Sequence, residues 1–63
     1  MTLGEKLLQL RQKSGLSQDK VAEMLKVSRQ AVSKWERDEA IPDVDKIIGL
    51  SNLFNVTTDY ILK

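Results

Sequence analysis

The chain has 63 residues, a formal net charge of +1, and neither cysteine nor histidine. A chain of this length makes one domain with a small core and has no room for a deep catalytic cleft. Without cysteine and histidine it has no disulfide, no thiolate or imidazole metal site and no histidine base, so we expect neither a metal nor a cofactor. No apolar run is long enough for a signal peptide or a membrane span, so we expect a cytoplasmic protein.

Charge is distributed unevenly along the chain. Basic side chains predominate in residues 1–37, and acidic side chains predominate in residues 38–63. This asymmetry is typical of a protein that turns one face toward a polyanion, but chance scatter on a small surface produces the same pattern. Charge alone therefore leaves both interpretations open.

Capping residues and the helical spacing of apolar side chains predict five helices and no strand. Thr2 and Glu5 form a capping box at the start, and Gly15 ends the first helix because glycine enters the left-handed conformation without a Cβ penalty. The other N-caps are Ser17, Ser28, Asp43 and Thr57. The predicted helices span about residues 3–13, 18–25, 29–37, 44–54 and 58–62. The fold class is all-α, a compact five-helix bundle.

The second and third predicted helices are joined by only three residues, Lys26, Val27 and Ser28. So short a connection forces two helices to cross sharply, which is the geometry of a helix-turn-helix. The bundle is therefore expected to contain this motif.

The third predicted helix has one apolar and one polar side. Val32 and Trp35 lie on its inner side, and the side chains on its outer side are Arg29, Gln30, Ser33 and Lys34. Arginine and lysine donate to the O6 and N7 atoms of guanine, and glutamine pairs with adenine, in the major groove of DNA. A solvated polar face, which most surface helices have, is the alternative interpretation.

Three segments together resemble the phage repressor/Cro-like (XRE-type) helix-turn-helix family. They are the run GLSQDKVA at residues 15–22, the run VSRQAVSKWE at residues 27–36, and Pro42 with Asp43. The likeness covers nearly the whole chain and implies that residues 1–63 form a DNA-binding domain, either alone or at the N-terminus of a longer regulator. It implies a repressor-like transcriptional regulator that binds double-stranded DNA sequence-specifically, with the helix at about residues 29–37 in the major groove.

The resemblance also implies roles for individual side chains. Gln18 is expected to contact a phosphate and to brace the recognition helix. The positions expected to contact bases or backbone are Ser28, Arg29, Gln30, Ser33 and Lys34. Arg37 is expected to contact a phosphate from the loop that follows. Arg11 and Glu36 match positions that form an internal ion pair.

The sequence departs from the family pattern at three places. Lys26 stands where the turn often has glycine, and a left-handed conformation there would cost about 1 kcal/mol. The loop at residues 37–40 is acidic, which leaves Arg37 as its only cation. Gly49 lies inside the fourth predicted helix, where glycine costs about 1 kcal/mol relative to alanine.

The sequence also bears on two other classes of function. An enzyme is not expected, because Asp43 and Asp45 stand two residues apart and point in different directions on a helix. A protein-interaction module is the stronger alternative, since a helix-turn-helix scaffold does not by itself entail DNA binding. A homodimer is also predicted, and its candidate interface residues are Phe54, Tyr60, Ile61 and Leu62. Completion of the small core is the alternative interpretation of these side chains.

Overall fold

The computed structural model describes all residues, 1–63, and has five helices and no strand, as predicted. The helices are α1 (Leu3–Lys13), α2 (Gln18–Leu25), α3 (Arg29–Glu36), α4 (Val44–Phe54) and α5 (Thr58–Leu62). The predicted bounds are confirmed except at the end of α3, where Arg37 is the C-cap residue and not part of the helix.

Every helix begins at a side chain that caps it. The N-cap hydroxyl or carboxylate accepts a hydrogen bond from the amide three residues further on, at about 3 Å. These residues are Thr2, Ser17, Ser28, Asp43 and Thr57. The capping box between Thr2 and Glu5 is complete, because the Thr2 amide also donates to the Glu5 carboxylate. Local polar residues thus define where each helix starts.

One apolar cluster joins the helices. α3 packs between α1 and α2, while α4 packs against α2 and α5, and α5 also contacts α1. The buried apolar side chains are Leu7, Val21, Ala22, Val32, Trp35, Ile47, Leu50 and Ile61. Because Val32 and Trp35 anchor the inner side of α3, its outer side faces away from the core.

Lys26 adopts the left-handed conformation at the turn between α2 and α3, with φ 60° and ψ 44°. The Val27 amide donates to the Ala22 carbonyl across this turn at 3.0 Å, as in a Schellman motif. The structure therefore places a residue with a Cβ in a conformation that glycine adopts more easily.

Lys26→Gly is expected to raise the free energy of unfolding by about 0.5–1 kcal/mol, because it removes the left-handed penalty at a modest cost in unfolded-chain entropy. Urea denaturation followed by circular dichroism measures this change. Asn55→Gly is the matched control: Asn55 is also left-handed, with φ 56°, but asparagine tolerates that region, so the gain should be smaller. Equal gains at both positions would contradict the explanation.

Candidate nucleic-acid interface

The outer side of α3 forms a shallow concave surface made entirely of polar side chains. Its residues are Arg29, Gln30, Ser33, Lys34 and Arg37. All are exposed except Ser33, which is half-buried. We call this the α3 surface. The structure thus brings together most of the residues predicted to contact DNA.

Ser28 lies beside this surface and has a structural role. Its Oγ accepts a hydrogen bond from the Ala31 amide at 3.1 Å and so caps α3. A serine hydroxyl carries one donor and two acceptor lone pairs, so the cap leaves the O–H group free to donate. Ser28 can therefore start α3 and still contact a phosphate or a base.

Gln18 is half-buried and turned toward α3. Its Nε2 donates to Oε1 of Glu36 at 2.8 Å, which ties the start of α2 to the end of α3. The amide oxygen and the second N–H of Gln18 have no partner within the chain. The free backbone N–H groups at the start of α2 lie in the same turn and favour an anion there.

Arg11 and Glu36 form an ion pair in the interior. Nε of Arg11 lies 2.6 Å from Oε2 of Glu36, and Nη2 lies 3.3 Å from Oε1. The two side chains are only 16% and 6% exposed. Nη1 of Arg11 also donates to the Leu16 carbonyl at 2.9 Å, so the pair links α1, the connection before α2, and α3. Arg11 is used inside the protein and is not part of the α3 surface.

The three cations of the α3 surface differ in their surroundings. Nε of Arg29 lies 3.7 Å from Oδ1 of Asp19 on α2. Nη2 of Arg37 lies 3.2 Å from Oε1 of Glu39 in the loop. Lys34 has no carboxylate within 4.0 Å. Exposed pairs of this kind are weak, so a phosphate can compete for either arginine.

Sequence reasoning missed Asp38. This residue has φ 59°, and its carboxylate accepts from the Gly4 amide at 2.9 Å and from the Thr2 hydroxyl at 2.7 Å. Asp38, in the acidic loop after α3, thus caps the start of α1. No local sequence pattern predicts these two hydrogen bonds, because Asp38 is more than thirty residues away from both Thr2 and Gly4.

The prediction of an interface residue at Ile61 is wrong. Ile61 is 1% exposed and belongs to the core, because it lies on the side of α5 that faces the other helices. Tyr60 and Leu62 are exposed, and Phe54 is half-buried.

A separate apolar surface joins α4 and α5, lined by Pro42, Val44, Ile47, Ile48, Thr58 and Leu62. We call this the α4–α5 surface. None of the five helices is long and apolar enough to cross a membrane.

The short turn between α2 and α3, the buried inner side of α3 and its polar outer side define a helix-turn-helix domain. The family model described as "Helix-turn-helix" matches residues 7–61, so the chain belongs to the helix-turn-helix family. This confirms the family resemblance predicted from the sequence.

Relatives of this chain include bacterial transcriptional regulators. The chain is 47% identical over 62 residues to the HTH-type transcriptional regulator ImmR of Bacillus subtilis, covering 98% of this chain and 49% of ImmR. It is 44% identical over 62 residues to the HTH-type transcriptional activator BcrR of Enterococcus faecalis, covering 98% of this chain and 30% of BcrR. The chain thus spans half or less of the length of these relatives.

A solved structure has almost the same backbone. The crystal structure of the P22 c2 repressor protein in complex with a synthetic operator matches with a TM-score of 0.95 and 33% identity. The match covers 100% of this chain and 96% of that one. The arrangement of the five helices is therefore that of a phage repressor domain.

Proposed function

We propose that residues 1–63 form a DNA-binding domain that places α3 in the major groove and reads the sequence of a double-stranded operator. The protein acts as a repressor-like regulator of transcription in the cytoplasm. The observation that carries this proposal is the α3 surface, where only polar side chains stand on the outer side of a helix whose inner side is buried. Direct readout requires an exposed helix of this kind, because base edges are recognised by hydrogen bonds in the major groove.

The side chains proposed to contact DNA divide into three groups by their position. Ser28, Arg29 and Gln30 stand at the first turn, where a recognition helix enters the groove and meets base edges. Ser33 and Lys34 follow one turn later and reach a base or the backbone. Arg37 and Gln18 lie on either side and contact phosphates, which position the helix on the duplex without reading its sequence.

Similarity to a repressor supports this proposal. The P22 c2 repressor protein has been solved in complex with a synthetic operator, and its backbone and that of this chain are nearly superimposable. A protein-interaction module on the same scaffold is favoured by one observation, the pairing of Arg29 and Arg37 with acidic side chains. The dependence of duplex binding on salt separates the two functions, because releasing counterions from phosphates gives a steep negative slope.

Selection from a pool of random duplexes is expected to yield a defined operator. Gln30→Ala and Lys34→Ala should each weaken binding to that operator by about 1–3 kcal/mol and leave binding to random-sequence duplex nearly unchanged. Electrophoretic mobility shift with both duplexes measures the two affinities.

Two substitutions on α1 serve as matched controls. Gln9→Ala and Lys13→Ala remove the same side-chain types from exposed positions away from the α3 surface, and we expect little change with either duplex. Equal weakening of both duplexes by Gln30→Ala and Lys34→Ala would assign these residues to phosphate contacts. Absence of salt-dependent binding to any duplex would favour the protein-interaction module.

We also propose that the domain binds DNA as a homodimer through the α4–α5 surface, which includes Leu62. Tyr60, which is exposed on α5, is a further residue of the proposed interface. Two-fold symmetry would place two α3 helices one turn of DNA apart, about 34 Å, and double the contacts of a single helix. Val44, Ile48 and Leu62 are 73%, 46% and 60% exposed, so their apolar area is available for a second copy.

Leu62→Gln is expected to weaken self-association at least about tenfold, because a two-fold interface contains each substituted side chain twice. Sedimentation equilibrium with and without operator duplex measures this effect. Met24→Gln is the matched control, since Met24 is 49% exposed on α2 and lies outside the α4–α5 surface. A monomeric wild-type protein on the operator would contradict the dimer.

A further inference from the structure

Asp19 lies beside the α3 surface and faces the first residue of α3. Oδ1 of Asp19 lies 3.7 Å from Nε of Arg29, and the side chains are 78% and 66% exposed. Building on the proposed function, we propose that Asp19 is a positioning residue that determines specificity. It biases the exposed Arg29 toward an orientation suited to a base edge and competes with phosphates for its charge.

The geometry of this pair leaves the terminal nitrogens of Arg29 free. Asp19 approaches Nε, on the stem side of the guanidinium, and no N–H of Arg29 donates a hydrogen bond to the protein. The two terminal nitrogens, Nη1 and Nη2, remain available for the O6 and N7 atoms of guanine, which arginine contacts in pairs. Because Asp19 favours one orientation of the guanidinium, the Arg29 side chain loses less conformational freedom when it contacts a base.

Arg29 differs from the other cations of the α3 surface. Arg37 is paired at a terminal nitrogen, Nη2, which lies 3.2 Å from Glu39, so its own fork is engaged. Lys34 has no acidic partner to orient it. Arg29 alone has a carboxylate beside Nε and terminal nitrogens without a partner in the chain.

The negative charge of Asp19 also acts against binding without sequence recognition. Phosphate contacts supply essentially all the affinity for random-sequence DNA. The Asp19 carboxylate competes with phosphates for Arg29 and repels them, so it lowers the affinity for any duplex. In the operator complex the contact between Arg29 and a base compensates this loss of affinity, and in a complex with random-sequence DNA nothing does. Discrimination then comes from a repulsive element as well as from attraction to the correct base.

The test compares Asp19→Asn with the wild-type protein on a selected operator and on random-sequence duplex of equal length. Asp19→Asn is expected to raise affinity for random duplex about threefold to tenfold at low salt and to lower the ratio of the two affinities by a similar factor. Asp19→Glu, which keeps the charge, should retain most of the ratio. In an Arg29→Ala background, Asp19→Asn should leave the ratio unchanged, because the side chain it positions is missing.

Glu23→Gln is the matched control for charge. Glu23 lies on the same helix, its ion-pair partner is Lys20 at 3.1 Å, and its substitution changes the net charge by the same amount. Equal effects of Glu23→Gln and Asp19→Asn on the affinity ratio, or an effect of Asp19→Asn on that ratio that persists without Arg29, would overturn the inference. If the wild-type protein selects its operator and Asp19→Asn leaves the ratio intact, only this inference fails. A wild-type protein without salt-dependent duplex binding would overturn the proposed function and this inference together.

Discussion

Glu36→Ala is expected to lower the free energy of unfolding by about 3 kcal/mol or more. The carboxylate of Glu36 accepts hydrogen bonds from Arg11 and from Gln18 and is only 6% exposed. Its removal leaves the guanidinium of Arg11 charged and without its partner in a partly buried site, and an uncompensated charge of this kind is costly. The loss is a large share of the stability that a domain of this size has.

Urea denaturation of Glu36→Ala beside Glu39→Ala measures the effect against a matched control. Glu39 also forms an ion pair with an arginine, but that pair is exposed, so its loss should cost less than about 1 kcal/mol. The double variant Arg11→Met with Glu36→Leu should be more stable than the sum of the single changes predicts, because neither charge is left alone. A cost for Glu36→Ala no greater than that for Glu39→Ala would show that the buried pair contributes little.

The helices were predictable from the sequence because their signals are local. Each N-cap residue contacts an amide three residues away, and apolar spacing then indicates which side of the helix is buried. The polar outer side of α3 was predicted in the same way, from the positions of Val32 and Trp35. The pairing of Arg11 with Glu36 came from the family resemblance and not from spacing, since 25 positions separate these residues.

Contacts between distant parts of the chain were not predictable. Asp19 and Arg29 meet only because the turn at Lys26 folds α2 against α3, and Asp38 reaches α1 only because α3 ends beside it. Ile61 was assigned to a dimer interface because periodicity in a five-residue helix does not say which apolar side chain faces the core. The neighbour of Gly49 was equally hidden, since only the fold brings Cδ2 of Leu25 beside it.

Gly4→Ala is expected to destabilise the domain by about 2 kcal/mol, although alanine is the better helix former. A Cβ at Gly4 would lie 2.6 Å from the carbonyl oxygens of Trp35 and Glu36, which belong to the backbone at the end of α3. Because backbone atoms cannot turn aside as a side chain does, α1 must move away from α3. That movement also weakens the hydrogen bond from the Gly4 amide to Asp38. The clash of one added methyl in a packed site costs about 1–3 kcal/mol and outweighs the gain in helix propensity of about 1 kcal/mol.

Gly49→Ala is the matched control, because both glycines lie inside helices and gain the same propensity. A Cβ at Gly49 would meet only Cδ2 of Leu25, at 2.8 Å, and that atom is the end of a flexible side chain. Leu25 can change rotamer, so this variant should stay within about 1 kcal/mol of the wild-type protein. Thermal unfolding gives the Tm of each variant and so compares a clash with rigid backbone atoms, at Gly4, with a clash against a flexible side chain, at Gly49. A Gly4→Ala protein as stable as Gly49→Ala would mean that α1 and α3 are free to shift apart, and α1 would then not support the recognition helix.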